Sequence, residues 1–197
     1  MYIKIYGMDK IYFEEKKFEK ADFSENTLPK GNYENCTFRN CIFTNGDLMQ
    51  INFSDCTFSD CDLSLAKIAQ TAFKNAAFKD CKLLGLNFEH CNDFLFSISL
   101  ERCNLNFSTF YKLKLKNTMF KNCSLQETDF SETDLTAAVF DNCDLLKAVF
   151  ENTVLEKANF STAYNYAIDP EKNRLKKAKF SRDGVHGLLL RYGIEVV

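Results

Sequence analysis

The sequence predicts an all-β solenoid, a four-sided coil of about 20 residues per turn closed at its end by a short α-helix. Three observations predict it. A large apolar residue returns at every fifth position: from 13 to 88 each is Phe, Leu, Tyr or Ile, and from 95 to 160 each is Leu or Phe. Cysteine recurs every 20 residues, at Cys36 and Cys56, at Cys41, Cys61 and Cys81, and at Cys103, Cys123 and Cys143. Leu and Phe alternate strictly from Leu105 to Phe160.

A period of five belongs to neither a helix nor a continuous strand, in which residues five apart point to opposite faces. Every fifth residue points inward only if the chain turns once per repeat, and regular turns of one hand wind into a coil. Four repeats per turn stack like on like. Leu105, Leu125 and Leu145 then form one wall and Leu115, Leu135 and Leu155 the wall opposite. Phe110, Phe130 and Phe150 face Phe120, Phe140 and Phe160, and Phe18, Phe38, Phe58 and Phe78 make a column in the first half. The position two before each centre is small, as at Ala21, Cys36, Ala66, Cys123, Ala138 and Ala158, and must also point inward. The residue just before the centre is often Asp, Asn or Thr, whose short side chains bond to nearby backbone in turns.

Taken in chain order, residues 1–12 precede the register and read as an N-terminal cap. Their sequence, MYIKIYGMDKIY, lacks the apolar core of a signal peptide, and no run approaches the length of a membrane span. The expectation is a cytoplasmic protein with no membrane contact. The β-helix occupies 13–181. From Phe88 the next register residue is Leu95, so two extra residues place a bulge at 89–94. The pattern lapses after Phe160, Asp169-Pro170 marks a turn, and Leu175 and Phe180 rejoin the old register, which leaves a loop at 161–174. In 182–197, Ser181 is placed as an N-cap, and Val185, Leu188, Leu189 and Tyr192 share one helical face. Gly193 can end the helix and Ile194–Val197 leave as a short strand. Gly184 and Gly187 each cost such a helix about 1 kcal/mol, so it forms only by docking.

Strings such as ADFSE, CDLSL, TDFSE, TDLTA and CDLLK resemble the pentapeptide-repeat family, whose consensus is close to A(D/N)LXX. The resemblance implies a right-handed quadrilateral β-helix, in which neighbouring coils stabilise one another. About 7.5 coils at roughly 4.8 Å each give a rod on the order of 36 Å long. The tail GLLLRYGIEVV with the preceding AKFS resembles the C-terminus of the quinolone-resistance (Qnr-type) members, which dimerise tail to tail. The resemblance therefore implies a homodimer through Val185, Leu188, Leu189, Tyr192, Ile194 and Val196.

The residues offer no catalytic constellation, so the expectation is a protein that is not an enzyme, with no cofactor and no small-molecule substrate. His90 and His186 are the only histidines, no Gly-rich phosphate loop is present, and the spacing of the nine cysteines is not that of a zinc site. Eight of the nine, all but Cys91, fall in the small inward position and read as packing thiols.

Charge distribution is more informative than the net −2. Residues 125–156 carry Glu127, Asp129, Glu132, Asp134, Asp141, Asp144, Glu151 and Glu156 against Lys147, a net −7. This is either a solvated acidic face or one that steers a basic partner. Two rods joined end to end would span about 72 Å, some 20 base pairs at 3.4 Å each. The Qnr-type resemblance implies the second reading: a mimic of B-DNA that engages DNA gyrase or topoisomerase IV, relieves fluoroquinolone poisoning and does not itself bind nucleic acid. The alternative is a scaffold for a different partner. Residues 157–191 are basic by contrast, net +5, and Lys112, Lys114 and Lys116 add a second basic patch.

Overall fold

The computed structural model describes residues 4–6 and 10–194. The chain winds into a right-handed quadrilateral β-helix of about eight turns. The first side is centred on Phe13, Tyr33, Phe53 and Phe73 and, beyond the bulge, on Leu115, Leu135, Leu155 and Leu175. The second side is a parallel sheet of nine strands, from β3 (Lys17–Glu19) to the strand Lys179–Phe180, with Phe18, Phe38, Phe58, Phe78, Leu100, Phe120, Phe140, Phe160 and Phe180 at its centre. Leu63, Leu83, Leu105, Leu125 and Leu145 centre the third side, and Ile68, Phe88, Phe110, Phe130 and Phe150 the fourth. At the start, β1 (Lys4–Tyr6) pairs antiparallel with β2 (Lys10–Glu14), and β2 begins the first side.

The five-residue unit explains itself in hydrogen bonds. The residue two past the centre takes φ between 51° and 62° at nearly every repeat. At most repeats of the third and fourth sides, and on the first side beyond the bulge, the amide after it donates back to the central carbonyl, as from Gly46 to Phe43 at 2.8 Å and from Ala138 to Leu135 at 3.0 Å. A positive φ at the third residue with this bond is the pattern of a type II turn. Of the 27 described non-glycine residues with positive φ, 12 are Asn or Asp, the side chains that tolerate this backbone best. The flanking amides and carbonyls point along the coil axis, as in Asp134 N to Leu113 O at 2.9 Å and Leu135 N to Val154 O at 2.8 Å.

The core is continuous. Phe38, Phe58, Phe110, Phe120, Phe130 and Phe140 are fully buried, and rings one coil apart lie face on face. Centroids are 4.7 Å apart for Phe38 and Phe58 and 4.9 Å for Phe120 and Phe140. The expected column and walls are therefore present. Neighbouring sides meet edge to face, as Phe130 and Phe140 do at 86°. That combination suits the ring quadrupole.

The small inward position has a second duty. Each Cys there donates its thiol to the central carbonyl of the preceding coil: Cys61 to Phe38 at 3.4 Å, Cys143 to Phe120 at 3.3 Å. Thr71, Thr133 and Thr153 do the same with hydroxyls, at 2.7, 2.9 and 2.9 Å. Serine, threonine and cysteine are thus interchangeable donors in one geometry. All nine cysteines are free and buried. Cys91 corrects the sequence reading, because it too points inward, 3.4 Å from the Ile68 carbonyl, and burial pushes its thiol up to about 12.

Two further expectations are overturned. Leu95, expected in the core, is 65% exposed with φ 59° at the tip of the bulge beside Phe94. The Phe96 ring turns inward instead and meets Phe73 and Phe88 edge on. The extra residues widen this corner, and the chain re-enters one residue later. The C-terminal α-helix is replaced by two 3-10 turns, Val185–Leu188 and Leu190–Tyr192. Tyr166 is the reason. It fills the last coil between Phe160 and Phe180, and a Cβ on Gly184 or Gly187 would collide with it. Residues three apart eclipse in a 3-10 helix, so both glycines lie against Tyr166. The Ser181 hydroxyl accepts from the Gly184 amide at 3.0 Å, and Gly193 ends the segment at φ 61°. The expected strand at 194–197 falls almost wholly outside the described residues, as does Val196.

Truncating Phe130 to Ala is expected to cost about 3–5 kcal/mol in urea denaturation, while Leu95→Ala stays within about 0.5 kcal/mol. A small loss at Phe130 would remove it from the core. The nine thiols should resist a water-soluble thiol reagent near pH 8 until the coil is unfolded.

Candidate partner-binding surface

The eight carboxylates of 125–156 do not share a face. Successive repeats occupy successive sides, so the acidic stretch is a belt around the rod. Glu127 and Asp144 lie at the third side, Asp129, Glu132 and Glu151 at the fourth, Asp134 and Glu156 at the first, and Asp141 on the second.

Several have local work. Asp129, Asp134 and Asp144 stand just before a centre and accept the amide two residues on, at 2.8, 3.1 and 3.1 Å. These are the turn contacts expected of short polar side chains at this place. Others meet a cation one coil away. Glu127 lies 3.7 Å from Lys147, Glu132 3.5 Å from Lys112, Asp134 3.2 Å from Lys116, Glu151 3.0 Å from Lys172 and Glu156 2.6 Å from Arg174. Asp141 accepts from Thr162, and Asp144 from Gln126 and Asn165. The basic patches on either side thus partly neutralise the belt.

The fourth side keeps the most negative surface. Asp129, Glu132 and Glu151 lie there, and Lys172 at 3.0 Å from Glu151 and Asn173 at 2.9 Å from the Phe150 carbonyl bring the segment of Asp169 and Glu171 beside them, two carboxylates that sequence order hides within a basic segment. Arg191 bonds both Asp169 oxygens, at 2.6 and 2.7 Å, and reaches Glu171 at 2.9 Å. The Tyr192 hydroxyl also donates to Glu171 at 2.9 Å. The terminal turns are therefore tied to this strip. The 20-residue spacing sets Val149 above Asp129 but lapses before Asp169, so periodicity alone does not find the end of this strip.

The residues expected at a dimer contact are divided. Val185, Tyr192 and Ile194 are 45–54% exposed, whereas Leu188 packs against the core and Leu189 is half-buried. Leu190, which lies off the expected helical face, is 56% exposed. Among the described residues, no group of three or more His, Cys, Asp or Glu is placed to hold a metal ion. No helix among them is long and apolar enough to cross a membrane.

Coils that repeat every 20 residues and present four ladders of side chains define a repeat solenoid. A family model described as a pentapeptide repeat region matches residues 31–110 and 93–164, and the chain belongs to the pentapeptide-repeat family. Among solved structures it resembles a trypsin-treated form of QnrB1, a plasmid-mediated fluoroquinolone resistance protein, at 21% identity and a TM-score of 0.52, over 94% of this chain and 91% of that one. HetL of the cyanobacterium Nostoc, involved in heterocyst differentiation regulation, matches at 16% identity and a TM-score of 0.46, over 86% of each chain. No curated protein matches the sequence significantly.

Asp134 makes the belt's structural share measurable. Partial burial pushes its carboxyl up, but the Thr136 hydroxyl and amide and the Lys116 ammonium outweigh this and hold it below the ordinary value. A carboxyl depressed by folding contributes stability that is full above its unfolded pKa and is lost as pH falls through the folded one. Asp134→Asn should therefore lose less stability than the unaltered protein between neutrality and about pH 3. Equal losses in urea midpoints would show that these contacts do not matter to folding.

Proposed function

We propose that this protein is a non-enzymatic binding rod whose partner is the DNA-binding surface of DNA gyrase or topoisomerase IV, and that binding there protects the enzyme from fluoroquinolone-type inhibition or modulates it. The observation that carries this reading is the strip on the fourth side. Asp129, Glu132, Glu151, Asp169 and Glu171 lie there against Lys112, Lys172 and Arg191, which leaves an excess of negative charge. Carboxylates at fixed spacing on a stiff rod imitate a phosphate backbone, and their field steers a basic groove. The repeat and the tail support the same reading through their resemblance to the Qnr-type proteins.

The exposed apolar side chains of Val185, Leu190, Tyr192 and Ile194 support a tail-to-tail homodimer. Such a dimer sets two strips about a common centre. A second reading, a scaffold for some other partner, draws on the ion pairs that neutralise carboxylates all round the rod, those of the strip included.

The test is gyrase supercoiling with ciprofloxacin present and the purified protein added from nanomolar to tens of micromolar. Rescue is expected, and Glu132→Lys with Glu151→Lys should abolish it while the coil persists by circular dichroism. Rescue that survives the double reversal would sink the mimic mechanism. Absence of any effect on gyrase or topoisomerase IV moves the function to the scaffold. Sedimentation should show a dimer that Leu190→Asp with Ile194→Asp converts to monomer.

A further inference from the structure

Charges stacked one coil apart alternate in sign through the middle of the rod. On the second side the residues after the centre run Lys79, Glu101, Lys121, Asp141, each in register with the next. Asp62 and Lys82 alternate on the third side, and Lys112 with Glu132 on the fourth. Opposite charges in neighbouring strands stabilise a sheet and like charges directly opposite weaken it.

This order breaks at the corner between the first and second sides in the last two coils. Lys157 and Lys177 occupy the same corner position in successive coils, with the Lys157 amide bonded to the Lys176 carbonyl at 2.9 Å. Lys176 precedes that corner and Lys179 follows it on the second side, while Arg182, two past the Phe180 centre, lies beyond that strand. All five are exposed, and none of their side chains has a hydrogen bond or ion pair to a described residue. Glu156, next to Lys157, is held by Arg174, while Asp183 adjoins Arg182. Four lysines therefore gather about one corner, with Arg182 a little further along the chain.

We propose that this corner binds the phosphate backbone of double-stranded nucleic acid, without regard to sequence. Four of the five cations are Lys, which meets phosphate as a point charge, whereas protein interfaces favour Arg and are poor in Lys. No aromatic side chain is exposed among them to stack on bases, which favours a duplex over a single strand. The proposal does not depend on the topoisomerase reading, since the corner lies on other sides from the acidic strip.

Fluorescence anisotropy with the full-length protein and a labelled duplex of mixed sequence tests it. At about 50 mM salt, binding is expected in the 10⁻⁴–10⁻⁶ M range of backbone contacts, and it should weaken steeply with salt. Combining Lys176→Gln, Lys177→Asn and Lys179→Gln should weaken it at least tenfold and lower the log–log salt slope by about 3. Asn suits the positive φ at position 177, and circular dichroism confirms the coil. Lys20→Gln, at the far end, should change little. No binding to the duplex, an unchanged affinity in the triple variant, or binding to polyglutamate or anionic vesicles in place of the duplex would each overturn the proposal.

Discussion

Everything in this molecule follows from one constraint: each coil lies directly on the last, roughly 4.8 Å away, so every side chain has a near-identical neighbour above and below. Inside, that favours flat rings that stack, and the spacing of Phe38, Phe58 and Phe78 is close to the coil spacing. At the small inward position it favours a donor that can reach the carbonyl one coil back. Asn173 shows how general the rule is. The last coil has lost its regular repeat, yet the buried Asn173 amide still donates to the Phe150 carbonyl at 2.9 Å, as a Cys or Thr would.

The same constraint acts on the surface with opposite sign. Like apolar groups gain from stacking, but like charges lose. A rod that repeats itself perfectly would stack its charges unfavourably, and the alternation of Lys79, Glu101, Lys121 and Asp141 avoids this. Charge composition along the chain is consequently a poor guide to the field. A stretch of net −7 becomes a belt with cations in the coils on either side, while the strip that keeps an excess of negative charge joins residues of successive coils.

Coil number, side number and stacking order were legible because each depends on one residue type at one spacing. The bulge was located within a few residues, but Leu95 was misassigned: a register read from sequence cannot tell which of Leu95 and Phe96 the widened corner turns inward. The C-terminal pattern was misread for a related reason. Val185, Leu188, Leu189 and Tyr192 fit a helical face, yet the backbone there is set by Tyr166, a tertiary contact with no periodic signature. Cys91 escaped because the bulge hid its register. Among the acidic residues, position relative to the centre marked Asp129, Asp134 and Asp144 as turn residues, but which Glu finds a cation depends on the coil above.

The terminal coil carries the least repetitive sequence because it has no coil to rest on. Its outer face must be finished by something other than another repeat. Phe180 stacks on Phe160 at 5.3 Å and is only partly buried, so the column simply runs out. The chain closes it with the 3-10 turns, and two glycines let that segment reach Tyr166 where any side chain would hold it off. The Ile168 amide then bonds the Gly187 carbonyl at 3.0 Å, joining the detour to the cover. Closure of the core and exposure of Val185, Leu190, Tyr192 and Ile194 are thus one event: the segment that seals the last coil has only one apolar side to give it, and the other faces out.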